Sequence, residues 1–124
     1  MLNRSKGDVL VEVDRTPRAS IVTASGELDA TTAGALDEHL LLFAAGEAVV
    51  LDLTGVTFCD SVGIACVLAA LHRGVDLRVV GSRRVSRVLA LVGRGLEERL
   101  HTSVAEALAQ PAQPARRYPG LRSV

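Results

Sequence analysis

The sequence predicts an α/β fold: one small domain in which a mixed β-sheet is covered by helices. Three observations carry this. Two strand-like segments joined by a proline turn open the chain as a hairpin. After them, short runs rich in Val, Leu and Ile alternate with segments of helical period. Glycines stand at most of the joints, where a chain changes direction. The 124 residues suggest a single domain, long enough to bury a core without disulfides or metals. With 48% hydrophobic residues the chain is not disordered. With only 2% aromatics, that core must be built from Val, Leu, Ile and Ala.

Val9, Val11 and Val13 alternate with Asp8, Glu12 and Asp14, Leu10 being the exception, so the first segment is a strand with one wetter face. Arg15-Thr-Pro-Arg18 is a turn, because Pro17 fixes φ and removes a donor. Ala19 to Ser25 is the second strand, and Gly26-Glu-Leu-Asp29 ends it. The period then lengthens. Leu36, Leu40 and Phe43 form a helical stripe that Asp29, Thr31 or Thr32 can cap and Gly46 can stop. Residues 48–53 are a buried strand. Ile64, Val67, Leu68 and Leu71 mark a second helix, closed by Gly74.

Asp76 to Val80 is the next strand, closed by Gly81. Val85, Val88, Leu89 and Val92 repeat the helical spacing up to Gly93 and Gly95. A short extended segment is expected at Leu100 to Thr102, then a helix capped by Ser103 and running to Ala109. Residues 1–7 are expected to be a flexible N-terminus and 8–109 the domain. Residues 110–124, with three prolines and no apolar period, are expected to be a disordered tail.

Strands that alternate with helices pair in parallel through right-handed crossovers. In such sheets the functional edge lies beyond the carboxyl ends of the strands. The loops expected there are Gly26–Thr32, Thr54–Ser61 and Gly81–Arg84.

Several function classes are set aside at this stage. The start of the chain lacks the apolar region of a signal peptide, and the longest apolar stretch, Ile64 to Leu71, is too short to span a bilayer. No membrane insertion and a cytoplasmic location are therefore expected. Cys59 and Cys66 have no zinc-ligand spacing and read as buried thiols; no metal and no cofactor are expected. Arg83, Arg84, Arg87 and Arg94 read as a solvated face rather than a nucleic-acid site, given zero net charge and few aromatics for stacking. The charge is unevenly spread: residues 1–62 hold ten acids and four bases, and residues 63–124 hold ten bases and four acids. A surface built from the first half suits a basic partner.

Chemistry concentrates in Cys59-Asp-Ser-Val-Gly63, where a strand meets a helix. Asp60 or Ser61 can cap the helix. Cys59-x-Ser61-x-Gly63 also looks like a nucleophile elbow, with Asp76 and His101 following in triad order. Against that, no glycine-rich segment supplies an oxyanion hole, and Cys59 stands where the elbow needs a small residue. Asp52, near a strand end, invites comparison with a phospho-accepting aspartate, but the only lysine is Lys6, at the frayed start. A third reading is regulatory: a phosphate on Ser61 would sit at a helix N-terminus and add about −1.5 to −2 charges beside Asp60. No enzyme activity is expected.

Gly26-Glu-Leu-Asp29 and Val50-Leu-Asp-Leu-Thr-Gly-Val-Thr-Phe-Cys-Asp-Ser-Val-Gly-Ile64 resemble the STAS domain of bacterial anti-sigma factor antagonists. Leu77-Arg-Val-Val-Gly81, Arg87-Val-Leu-Ala-Leu-Val-Gly93 and Val104-Ala-Glu-Ala-Leu108 extend the match. The resemblance implies a small α/β domain with a mixed four- to five-stranded sheet and helices mostly on one face. It implies an unphosphorylated form that binds an anti-sigma factor serine kinase and releases the sigma factor in a stress response. Phosphorylation of Ser61 would end the binding and a serine phosphatase would restore it. It places Gly26, Glu27, Leu28, Asp29, Asp60, Ser61, Val62 and Gly63 at the partner-binding face. Two departures stand out: Val62 is larger than the small residue usual there, and the interval from Asp60 to Leu77 is short by about four residues, near one helical turn. The alternative is a STAS accessory subunit of a lipid-transport ATPase, docked permanently through the same face.

Overall fold

In the computed structural model residues 8–92 and 96–112 are described. The expected N-terminal segment 1–7, Gly93 and Gly95, and the expected tail beyond residue 112 lie outside the described residues.

The chain runs β1 (Val9–Arg15), β2 (Ser20–Leu28), α1 (Ala33–Leu40), β3 (Ala48–Cys59), α2 (Ser61–His72), β4 (Asp76–Gly81), α3 (Arg83–Val92), a 3-10 turn (Leu96–Arg99), β5 (Leu100–His101) and α4 (Val104–Ala109). The five strands form one sheet in the order β1-β2-β3-β4-β5. β1 and β2 pair antiparallel as the expected hairpin, and every later pair is parallel. Each parallel step moves one strand further in the same direction. Right-handed crossovers therefore bring α1, α2 and α3 to the same face. Their apolar stripes bury Leu36, Leu40, Ile64, Val67, Val85 and Leu89 against Val22, Leu51 and Leu77. α4 follows β5 and packs through Ala107 on the opposite face over Ala19, Val50 and Val80. β3 is covered on both sides, which is why Val49, Val50 and Leu51 form a continuous apolar run rather than an alternation.

The structure differs from the sequence expectation chiefly in strand length. Gly26–Leu28 and Thr54–Cys59 read as loops, yet they continue β2 and β3, with Ser25 opposite Gly55, Gly26 opposite Val56, Glu27 opposite Phe58 and Leu28 opposite Cys59. Two register shifts, between Thr23/Ser25 and Gly26/Glu27, give β3 an extra residue each time. Such bulges bend a strand without ending it. The glycines serve this path. Gly26 has φ 107°, outside the range of ordinary side chains. A Cβ on Gly55 would stand 2.8 Å from the Ser25 Cβ. The first helix is shorter than its stripe suggests: α1 stops at Leu40, and Phe43 buries its ring from the following turn.

Beneath α4 lies a buried ionic cluster with no counterpart in the sequence expectation. Asp76 accepts from Arg78 Nη2 at 3.0 Å through Oδ2 and from Arg99 Nη1 through Oδ1. Arg78 Nη1 also donates to the carbonyls of Ala107 and Gln110, at 2.9 and 3.0 Å, capping the end of α4. Gln110, expected to begin the tail, is thus tied to the domain.

Candidate functional site

The ends of β2 and β3 place the candidate residues. Leu28 and Cys59 are register partners, so the next residues, Asp29 and Asp60, emerge side by side at a strand spacing of about 5 Å. The Asp60 N–H donates to the Leu28 carbonyl at 3.0 Å, extending the ladder one step beyond the strands. Only Asp60 separates β3 from α2.

Asp60 is the N-cap. Its Oδ1 accepts from the N–H groups of Val62 at 2.9 Å and Gly63 at 3.1 Å. The four leading N–H groups of a helix lack internal partners, and Asp60 satisfies two of them. Ser61 is therefore the first helical residue, not the cap. Its side chain is exposed, and among the described residues its hydroxyl makes no hydrogen bond. Val62 beside it is 43% exposed.

The neighbouring turn is cross-linked by its own hydrogen bonds. Asp29 Oδ1 accepts from Thr31 Oγ1 at 2.7 Å, Thr31 N at 2.9 Å and Thr32 N at 3.2 Å. The Thr32 hydroxyl accepts from Asp29 N and donates to the Glu27 carbonyl. The Thr31 hydroxyl, followed by the Thr31 amide, holds the Asp29 carboxyl below the ordinary aspartate pKa. Thr32 is the N-cap of α1 but forms no side-chain cap; the Asp29 carbonyl accepts from Ala33 N at 2.8 Å.

Of the residues expected at the partner face, Ser61 and Val62 are exposed, and Glu27, Asp29, Asp60 and Gly26 are half-buried at the same end of the sheet. Leu28 and Gly63 are buried and act from beneath it. A Cβ on Gly63 would meet Cys59 Sγ at 2.9 Å and the Leu28 carbonyl oxygen at 3.0 Å. Gly63 therefore lets α2 lie close against its own sheet.

A family described as "Mlab, STAS domain" matches residues 11–101. The chain belongs to the STAS-domain family. Among solved structures, this STAS domain is similar to an anti-sigma factor antagonist from Mycobacterium paratuberculosis, at 27% identity and a TM-score of 0.66, covering 81% of this chain and 91% of that one. It shares its fold with the anti-sigma factor antagonist SpoIIAA in its unphosphorylated form, at 18% identity and a TM-score of 0.60, covering 80% and 93%. The Bacillus cell fate determinant SpoIIAA in the phosphorylated form aligns at 18% identity and a TM-score of 0.58, covering 80% and 96%. No curated protein matches significantly.

The other chemistries considered for this STAS domain do not assemble. Asp76 lies at the start of β4, away from the carboxyl ends of the strands, and is engaged by two arginines. His101 lies on β5 with Nδ1 3.3 Å from Glu106. Its side chain is mostly covered. Asp52 accepts from the amide and hydroxyl of Thr54, two residues on in its own strand. Cys59 and Cys66 are free and half-buried, and burial pushes the Cys59 thiol up to about 11. No group of residues able to hold a metal occurs among the described residues.

Proposed function

We propose that this STAS domain is an anti-sigma factor antagonist whose unphosphorylated form docks on an anti-sigma factor serine kinase through the edge formed by Glu27, Asp29, Asp60, Ser61 and Val62. Docking releases the sigma factor. Phosphorylation of Ser61 ends it, and a serine phosphatase restores it. The observation that carries the reading is the exposed, unengaged hydroxyl of Ser61 at the first position of α2, beside a hydrogen-bonded acidic turn. No helix among the described residues is long and apolar enough to cross a membrane. An ATP-dependent kinase as partner places the protein in the cytoplasm.

The way Asp60 caps α2 bears on how the switch acts. Because its carboxylate holds the N–H groups of Val62 and Gly63, a phosphate on Ser61 is not neutralised by them. The dianion stays next to Asp60 and points outward. It changes the partner surface by repulsion and desolvation cost rather than by refolding the domain.

The test is incubation with ATP and the anti-sigma factor kinase encoded nearest this chain's gene. A mass gain of one phosphate, abolished by Ser61→Ala, and lost kinase binding by Ser61→Asp are expected. An unmodified protein that co-purifies with a transport ATPase would instead identify a permanently docked accessory subunit.

A further inference from the structure

A cavity of about 260 Å³ opens beside the phosphorylatable edge. It exists because the strands end unequally. β4 stops at Gly81, opposite Leu53, while β3 continues to Cys59. The overhang has no strand on its β4 side, and α3 covers it incompletely. Phe58, Ile64, Val85, Val88 and Leu89 form apolar walls. Arg84 is the one charged residue in the lining. No carboxylate pairs with Arg84 among the described residues, and Arg83 and Arg87 beside it are exposed.

The size and place of the cavity decide its occupant. It is smaller than the roughly 300–1,000 Å³ typical of small-molecule sites. Cys59, two residues before Ser61, lines it, and Phe58, 52% exposed, carries its wall out to the surface. An added β-strand is a poorer fit to the overhang. The Thr54 amide already donates to Asp52, and the two bulges twist the edge. A single apolar side chain needs no such edge.

We propose that this cavity is the anchor pocket of the partner interface: the kinase inserts one apolar side chain between Phe58 and Val88 and sets a carboxylate on Arg84. The proposal rests on the preceding functional reading and adds the chemistry of the partner. It also gives the interface a polarity. Asp29 follows β2 and Arg84 comes just after β4, on either side of the β3 end that carries Asp60 and Ser61, so a matching surface carries basic and acidic groups in one order only. Buried apolar anchors beside paired charges concentrate binding energy, and charge order fixes register.

The test is calorimetric titration of the full chain with the same kinase, using wild type, Ser61→Asp, Arg84→Glu, Val88→Trp and Leu91→Ser. Arg84→Glu reverses an exposed charge without touching the core, and Val88→Trp fills the cavity, its fold being checked by circular dichroism. Both are expected to weaken binding by roughly tenfold or more. Leu91→Ser, at a position 81% exposed and outside the cavity lining, is expected to bind as wild type. If Arg84→Glu and a folded Val88→Trp bind within about twofold of wild type while Ser61→Asp does not bind, the anchor pocket is overturned and the phospho-switch stands. If wild type does not bind the kinase, the functional reading fails and this proposal fails with it. Decanoate that shifts the Ile64 and Val88 methyl resonances, with kinase affinity unaffected by filling the cavity, would assign the site to a small anion and overturn the proposal.

Discussion

The backbone N–H of Asp60 donates to the carbonyl oxygen of Leu28 at 3.0 Å, and this one bond joins the two halves of the candidate site. It continues the β2/β3 ladder past Cys59 and fixes where α2 starts. Asp29, next after Leu28, and Ser61, next after Asp60, are held in one relative position by backbone rather than by flexible side chains. A docking partner would meet a preformed surface, and a phosphate on Ser61 would change its charge more than its shape.

The same carbonyl makes any side chain at Gly63 costly. An alanine Cβ would sit 3.0 Å from the Leu28 oxygen and 2.9 Å from Cys59 Sγ. The oxygen cannot retreat without breaking its bond to Asp60. Gly63→Ala is expected to destabilise the domain by about 1–3 kcal/mol, measured by urea unfolding. An unchanged midpoint would mean that α2 is not held against the end of β2.

Asp60 and Ser61 are adjacent, yet their mutations should separate. Asp60→Ala removes the acceptor for two helix N–H groups and is expected to cost about 1 kcal/mol. Asp60→Asn keeps an oxygen and should cost less. Ser61→Ala removes an exposed hydroxyl and should stay within about 0.5 kcal/mol of wild type. Matched urea titrations of the three variants decide this, and a Ser61→Ala cost equal to that of Asp60→Ala would make the serine structural.

Much of this site is legible in the sequence, for physical reasons that also mark where legibility stops. Helical stripes such as Ile64, Val67 and Leu71 report one buried face, and the α2 boundaries follow from a short polar cap at Asp60 and a glycine at Gly74, whose φ is 90°. The ends of β2 and β3 were hidden because Gly26, Thr54 and Gly55 have loop composition, whereas bulges and close backbone approach demand those residues within a strand. Which of Asp60 and Ser61 is the cap cannot be read from composition, since both are good caps; only the Oδ1 geometry separates them. The Asp76–Arg78–Arg99 cluster was missed because nothing local ties Asp76 to an arginine 23 residues away. The alternation of Asp76 and Arg78 on one strand face was the available signal.

The Asp29 turn predicts a pH dependence. Hydrogen bonds led by the Thr31 hydroxyl favour the carboxylate, so the folded pKa lies below the usual 3.8. With a depressed folded pKa, the stabilising contribution is present above the unfolded value and is lost as pH falls through the folded one. NMR titration of the Asp29 carboxyl should therefore give a midpoint below 3.8, and Thr31→Val should raise it. A midpoint at or above the ordinary value would remove the turn's preorganisation.

The buried cluster sets a final expectation, because it holds α4 at the end of the sheet opposite the site. Asp76 is 2% exposed and accepts from both Arg78 and Arg99, which are 5% and 2% exposed. Asp76→Ala leaves two guanidinium groups buried without that carboxylate. Breaking a buried pair in this way costs about 3–5 kcal/mol, far more than the pair itself contributes over an apolar substitute. Arg78 is also the donor to the Ala107 and Gln110 carbonyls, so Arg78→Met should loosen α4 specifically. The expected signature is faster amide exchange in Val104–Ala109, with exchange at Ile64 and Val67 in α2 little changed. At a temperature where the variant stays folded, Ser61 should accept phosphate from the kinase at the wild-type rate, since no residue of the cluster borders Asp29, Asp60 or Ser61. A Ser61 rate that falls together with α4 protection would show that the two ends of the sheet are coupled.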